Sequence, residues 1–592
     1  MARPLVRGAV KTRLTDTLGE DGALATYERL LRSTLEAAER VSGAALVLAE
    51  APASGETDGL DTADPLPDHD DRWSRLRQHG DGLGDRMSMV IADLFADATD
   101  KVVIVGSDSP ALPPEYVEQA FVALETSGTV LGPAADGGYY LLGVSRKAWI
   151  EHGDALSALL RTSPMSDPAL LDYTMLGLSS AGLSVTLLPL WVDVDEPDDL
   201  HVLDRLEGGS PRRGEPLTEL REVYLHLTHR CARNCRHCYD PTASAAAELT
   251  TSEWRQTIDQ CAALGARSFV FIGGDPLLRH DFTALVDYVT GHHAARARFF
   301  FNCRIDTSSA RKLARAGRGL LTPLVSVDGP RAINDALRGP GSYDDVMASV
   351  AELRAVNMTP VANTVLVRPA LPGLPQLARD LRDAGIGRLH LILPHQRGMT
   401  VQQADDLVPS GAEMLAAVRE LLVVAGKIGL VVDNIASWRR RIGKRNDFCA
   451  AGCRELCIDP EGLVHACVIT AGDPAFVVGS LRERPLDEIW HTSAGLRLLR
   501  ATRARDRAEC LACSVADSCG GECWAQAHYA ARVRGRPAGY TAPFPYCEFV
   551  RPLLEELTTT ATAVAAANRG AADAGGGQSS AGAAAYSLFD CI

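Results

Sequence analysis

The first 230 of the 592 residues contain no cysteine, so no disulfide framework holds that part of the chain. A cationic excess is missing too: 60 Lys and Arg stand against 75 Asp and Glu, a net charge of −15. That balance argues against a general nucleic-acid binder, which needs a basic surface. No apolar run reaches the roughly 18 residues of a membrane span, and the nearest, Leu421–Val432, is broken by Lys427. The opening Met1–Gly8 lacks the apolar stretch of a signal peptide, which points to the cytoplasm. Aromatic residues are sparse at 6%, yet 46% of the chain is hydrophobic, enough for globular cores. The length predicts roughly three to five domains.

What the chain does have is an uneven cysteine map. Cys231, Cys235 and Cys238 fall within eight positions, and nine more cysteines lie from Cys449 to Cys547. In a reducing compartment such bunches are metal ligands or redox groups more often than disulfides. Three thiolates on one loop can hold three irons of a 4Fe–4S cube and leave the fourth open to an outside ligand. Structural zinc normally takes four ligands, and a zinc–thiolate protein is the competing reading of the spacing alone. Cys261 and Cys303 stand apart and read as buried small hydrophobes.

The surrounding pattern is α/β and multidomain. In residues 1–206, strands are expected at Lys101–Val105, Gly128–Gly132, Tyr139–Val144 and Val185–Val192, with helical stretches between several of them. That alternation predicts an open α/β sheet, whose ligands bind at the carboxyl ends of strands. Asp108, Asp193 and Asp195 stand at such ends. A polar linker, 207–218, leads to residues 219–445, with strands expected at Val223–Leu227, Ser268–Ile272, Ala297–Asn302, Leu324–Val327, Val361–Val367 and Leu389–Leu393. Six βα units are too few for a closed eightfold barrel, so an open, partial (β/α)6 barrel is expected. Residues 446–557 turn loop-rich and cysteine-dense, where metal more than a hydrophobic core should hold the fold. The basic run Trp438–Arg445 before them reads as a solvated face or as steering for an anionic substrate.

Residues 558–592 are rich in alanine and glycine, a tether that cannot offset its ordering entropy by burial. The last seven, Tyr586–Ile592, include Tyr, Phe, Asp and Cys591. They read as a disordered terminus, a fused substrate or a plug on a cluster.

The turn Cys231–Cys238 follows a strand, and a second strand ends in Gly273, Gly274, Asp275 and Pro276. These residues resemble the radical S-adenosylmethionine (SAM) superfamily, with Cys231, Cys235 and Cys238 matching its cluster ligands and His237 its aromatic position. Gly273–Pro276 is similar to the motif that binds the methionine amino group, with Asp275 in place of the commoner glutamate. Ser326, Asp328, Gly329 and Pro330, with Asp335, Arg338 and Gly339, match members carrying a SPASM auxiliary-cluster domain. Over about residues 220–400 the resemblance implies reductive cleavage of SAM to a 5′-deoxyadenosyl radical, which abstracts a substrate hydrogen. A flavodoxin- or ferredoxin-type donor would supply the electron. No general acid or base is singled out, because the cofactor carries the hard chemistry.

Cys449, Cys467, Cys510, Cys513, Cys519, Cys523 and Cys547 closely resemble the SPASM motif, down to Ile458–Gly462 ahead of Cys467. The resemblance implies two auxiliary 4Fe–4S clusters, three clusters in all. Cys449, Cys467 and Cys523 would hold the first, with Cys453 or Cys457 as fourth ligand, Cys453 being favoured by the family spacing. Cys510, Cys513, Cys519 and Cys547 would hold the second.

Lys11, Thr12 and Arg13 after Gly8, then Gly84–Met87, Gly106–Pro110, Asp136–Tyr140 and Asp193–Pro197, resemble glycosyltransferase-like proteins of the GT-A nucleotide-binding fold. The likeness covers about residues 5–200. It implies a nucleotide-sugar with a divalent metal, Lys11 and Arg13 facing phosphates and Asp108 meeting the metal. Only seven residues precede Gly8, two of them arginine, so the family's first strand is lost or lies upstream of Met1. The chain therefore reads as a radical enzyme that oxidises or cross-links a C–H position, in a ribosomally made peptide. The N-terminal domain transfers a sugar or serves as a docking module. A small-molecule tailoring enzyme is the alternative, and neither nucleic acid nor membrane is expected as a partner.

Overall fold

The computed structural model describes residues 1–572, apart from 4, 52–71, 98, 196, 198, 208–218, 240–246, 442–448, 503–506, 537–538 and 541. Most of the expected linker 207–218, part of the basic run Trp438–Arg445 and the tail from residue 573 onward, including Tyr586–Ile592, lie outside the described residues.

The first region is an open α/β sheet. Strands β3 (Lys101–Val105), β4 (Thr129–Pro133), β5 (Tyr139–Ser145) and β6 (Val185–Leu187) pair in the order β3-β5-β4-β6. Two earlier strands, β1 (Leu46–Glu50) and β2 (Trp73–Arg77), form a parallel pair. Between the two groups runs a stub of chain. Ala2 makes a parallel bridge to Glu50, its N–H on Ala49 O and its carbonyl taking Ala51 N–H, both 2.9 Å. The Met1 amino group reaches Val105 O of β3 at 3.0 Å. Residues 1–2 thus link β1 to β3 through a single rung. The strand expected over Val185–Val192 stops at Leu187 because Pro189 has no N–H for a ladder.

The second region contains all six expected strands: β7 (Glu222–His226), β8 (Ser268–Ile272), β9 (Arg296–Phe301), β10 (Leu321–Ser326), β11 (Val361–Val365) and β12 (Arg388–Ile392). They are parallel in sequential order, each joined to the next by helical crossovers, and the sheet stays open. Most of their residues are buried on both faces, as a parallel sheet flanked by helices requires. The crossover helices start cleanly. Thr250 and Glu253 cap helix Thr251–Ala263 reciprocally, and Ser410 and Glu413 do the same for Gly411–Ile428.

The sheet does not end with the barrel. A short β13 (Val431–Val432) joins β12 at one edge. At the other edge β14 (Glu455–Ile458) pairs in parallel with β7, and β15 (Leu463–His465) and β16 (Val477–Ser480) follow antiparallel. Three strands of the cysteine-dense region therefore extend the barrel sheet to ten. One continuous core runs through all three regions, including Tyr116 and Trp191, then Phe269 and Phe299, then Trp490 and Trp524. The first region rests on the last: Leu190 N–H donates to Ala475 O at 2.7 Å, Arg205 to Ala501 O, and Arg532 pairs with Asp172 at 2.6 Å.

Candidate functional site

The chain leaves β7 at His226 and turns through Thr228 and Arg230 into Cys231, at the carboxyl end of the sheet. The end of β8 is laid directly on that turn. Gly274 N–H donates to Thr228 O and Asp275 N–H to Arg230 O, both at 2.8 Å. A Cβ on Gly273 would sit 2.5 Å from Thr228 O, and one on Gly274 2.2 Å from Arg230 O. The glycines admit the cysteine turn itself. On the far side, Met399 N–H donates to Cys238 O at 2.9 Å, and a Cβ on Gly398, at φ 60°, would meet Cys238 O at 2.6 Å. The cysteine turn is clamped between β8 and the segment after β12.

Asp275 is fully buried. One carboxylate oxygen accepts Leu277 N–H at 3.0 Å; the other accepts Asn302 N–H at 2.7 Å and Cys303 N–H at 2.9 Å. Burial pushes its pKa up despite these bonds. The Cys303 thiol adds a fourth contact to the same carboxylate, so Asp275 ties the ends of β8 and β9 together. Pro276 opens the short helical turn after it, and Ser326 closes β10, buried beside Asn363.

Next to the thiols lies a buried charge network. Arg338 donates to Asp328 at 2.5 Å and to Asn302 at 2.8 Å, with the Cys235 sulfur 4.0 Å away. His237 meets the same Asp328 oxygen at 3.2 Å. Burial works against the Asp328 charge, but Arg338 and His237 outweigh it and hold the carboxyl below its usual range. Burial lowers His237 to about 4, so it is neutral at pH 7. Burial raises the thiols of Cys231 and Cys235, and Arg338 pulls both back. The donor set fits an iron–sulfur cluster with one iron left open: three thiols on one turn, with a fixed cation to offset the negative charge they bring.

In the last region Cys547 and Cys510 stand near each other and near both Cys513 and Cys519. Burial lifts Cys547 to about 11, and the charges of Cys510 and Cys513 add to it. Burial likewise raises Cys519, with Cys547 and Cys510 contributing. Around the other group, Cys467 accepts Ile469 N–H and Cys523 accepts Gln526 N–H, both at 3.4 Å, each thiol capping a helical turn. The turn holding Cys449 and Cys453 packs on this group through Gly452 N–H, which donates to Ala466 O at 3.1 Å. Cys453 is half-buried near Arg500, while Cys457 is buried within β14.

The first region carries a separate cavity of about 420 Å3, lined by Lys11, Arg13, Asp108, Asp136, Asp193 and Asp195, among others. Lys11 Nζ bridges Asp195 at 2.6 Å and Asp108 at 3.2 Å. Burial opposes its charge, yet the two carboxylates raise its pKa. Burial pushes Asp193 well above the carboxylate range, with Asp108 and Asp136 adding repulsion. The structure therefore sets Lys11 between two carboxylates, Asp108 and Asp195, which hold its ammonium in place.

Several neighbours escaped the sequence reading. Asn302, Gly398 and the contact of Arg338 with the cysteine turn bear on the site, and only Arg338 carried a signal, its place in the motif. Cys261 is buried as expected. Cys303 is half-exposed instead, bonded to Asp275 and within reach of Cys231, because β9 ends where β8 does.

A three-thiol turn at strand ends, with a second cysteine field built onto the same sheet, is the layout of SAM-dependent radical enzymes that carry auxiliary clusters. Sequence comparisons agree: residues 225–384 match the radical SAM superfamily, 449–514 the SPASM iron–sulfur cluster-binding domain, and 34–166 DUF2064, an uncharacterized protein conserved in bacteria. The chain belongs to the radical SAM superfamily, in its SPASM-bearing branch. It is similar to the mycofactocin maturase MftC of Mycolicibacterium smegmatis, 30% identical over 309 residues, 50% of this chain and 76% of that one. It is also similar to the PqqA peptide cyclase of Gluconobacter oxydans, 25% identical over 47% of this chain and 79% of that one. A crystal structure described as a nucleotide-diphospho-sugar transferase, from Desulfovibrio desulfuricans, is 31% identical over 36% of this chain and 87% of its own, with TM-score 0.31. Among the described residues no helix is long and apolar enough to cross a membrane.

Proposed function

We propose that the chain is a peptide maturase that oxidises or cross-links a C–H position in a ribosomally made peptide. The observation that carries this reading is the clamped three-thiol turn beside the buried Arg338–Asp328 pair. Relatives named for a maturase and a peptide cyclase support the substrate class. Cys231, Cys235 and Cys238 would hold one 4Fe–4S cluster, with SAM between Gly273–Pro276 and Ser326. When bound and reduced, the cluster and SAM supply a 5′-deoxyadenosyl radical. The protein's part is positional: Gly273 and Gly274 seat the cysteine turn, Asp275 ties β8 to β9, and Arg338 offsets thiolate charge. Cys449, Cys453, Cys467 and Cys523 would hold a second cluster, and Cys510, Cys513, Cys519 and Cys547 a third. A flavodoxin- or ferredoxin-type protein would deliver the electron.

The cavity in residues 1–206 favours a further step, sugar transfer to the same product. A divalent metal at Asp108 would displace the Lys11 ammonium, which could then join Arg13 on the nucleotide phosphates. The contacts of Leu190, Arg205 and Asp172 with the last region support the competing view, a docking module without transfer activity.

The test is anaerobic reconstitution with iron and sulfide, then SAM with dithionite or a reduced flavodoxin. About twelve irons and 5′-deoxyadenosine are expected. Mass spectrometry then follows loss of two hydrogens, or a new link, in neighbouring peptides and in Tyr586–Ile592 of the chain itself. Colourless protein holding stoichiometric zinc would sink the reading.

A further inference from the structure

At the opposite end of the barrel from the cysteine turn, two crossover segments meet at a cluster that the radical chemistry does not use. Helix Thr251–Ala263 joins β7 to β8 and carries Asp259 on its outer face. The next crossover ends in a π turn, Tyr288–His292, followed by His293 and the left-handed Ala294 (φ 50°) just before β9. Consecutive residues of a regular α-helix point about 100° apart; the wider π turn, a feature frequent at functional sites, presents both rings to one carboxylate. The ligand atoms of Asp259, His292 and His293 all lie within 4.8 Å of one another.

A single tyrosine organises the three. Tyr288 donates its hydroxyl to both Asp259 oxygens, at 2.8 and 3.0 Å. Its ring stacks on His292 (4.9 Å, 10°) and meets His293 edge-on (5.5 Å, 79°). His293 Nε2 lies 2.8 Å from Asp259. A carboxylate fixed by a hydroxyl is a support that metal-binding carboxylates ordinarily have, and the tyrosine ring holds the two imidazoles in place. The guanidinium of Arg255, 5.2 Å from the Tyr288 ring centre, is the positive charge a bound cation must tolerate.

We infer that Asp259, His292 and His293 form a binding site for a divalent first-row transition ion of the zinc class. Two imidazoles and one carboxylate suit such an ion and leave a coordination position open to water. Binding exchanges the His293–Asp259 contact for three metal bonds and staples the two crossover segments together at the foot of β9. The inference rests only on these side chains and is independent of the radical reading.

The experiment uses the full chain with its iron–sulfur sites reconstituted, dialysed against micromolar zinc and measured by elemental analysis. Wild type is expected to hold one more zinc per chain than His292→Ala/His293→Ala. Zinc K-edge absorption should show a nitrogen and oxygen shell at about 2.0–2.1 Å and no sulfur at about 2.3 Å. Asp259→Asn keeps both histidines and loses the charge, and it should weaken zinc binding at least tenfold. Tyr288→Phe, which removes the orienting hydroxyl, should weaken it about tenfold. Equal zinc uptake by wild type and the double variant, or a sulfur-dominated zinc spectrum, overturns the site. If the double variant does not fold, Asp259→Asn alone decides: undiminished affinity overturns it as well.

Discussion

The barrel mouth and the N-terminal cavity solve the same electrostatic problem with opposite tools. Around Cys231–Cys238 a carboxylate and a guanidinium are buried as a pair, Asp328 with Arg338, and both keep their charge. In the cavity Asp108 and Asp195 share one buried lysine, with Asp136 and Asp193 lining the same space. Burial and mutual repulsion raise Asp136 and Asp193. The first arrangement is closed by the protein's own side chains. The second pairs its lysine with Asp108 and Asp195 and leaves Asp136 and Asp193 held by hydrogen bonds from Gly138 N–H and the Ser109 hydroxyl.

The comparison breaks most sharply at the cysteine turn. Gly274→Val drives a side chain into Arg230 O, displacing the turn while leaving Cys510–Cys547 untouched. Reconstituted iron should fall by about four per chain and SAM cleavage should drop to background, read by iron assay and 5′-deoxyadenosine yield. Arg338→Met removes the cation and leaves Asp328 buried with only His237 and the Val365 N–H as partners. Breaking a buried pair from one side costs about 3–5 kcal/mol, which a denaturant titration should resolve.

In the cavity the sign reverses. The Asp193 carboxyl is raised from the ordinary 3.8, so its unfolded form ionises first. Stability is whole below that value and is lost as pH rises through the elevated folded pKa. Asp193→Asn should therefore raise the melting temperature at pH 7 and change it little below pH 4. Manganese should raise the melting temperature of wild type more than that of Asp108→Asn. The smallest effect belongs to the contact between regions: Arg532 and Asp172 are partly exposed, so a double-mutant cycle should give under about 1 kcal/mol.

The barrel was legible because its chemistry is local in sequence. Cys231–Cys238 and Gly273–Pro276 each sit in one short turn at the end of an apolar run, and strand periodicity carries such turns to one end of a parallel sheet. Asn302 and Gly398 were not legible, since they reach the cysteine turn from the ends of β9 and β12 with no motif of their own. β2 was missed because Trp73–Arg77 alternates polar residues and is half-exposed. The stub at Ala2 was invisible for another reason: one bridged residue leaves no periodicity. The partnership of Lys11 with Asp108 and Asp195 joins three distant segments, and charge count alone does not pair them.

The pairing of β14 with β7 has a consequence for biosynthesis. Glu455 lies beside Glu222, so the first barrel strand leaves the ribosome long before its outer neighbour does. At about 5–20 residues per second the growing chain keeps that backbone edge unpaired for roughly 10–50 s. An open edge is a template for unwanted pairing with other chains. The cysteine-rich region thus covers the β7 edge of the open barrel, and its emergence sets the moment at which that edge is withdrawn from other chains.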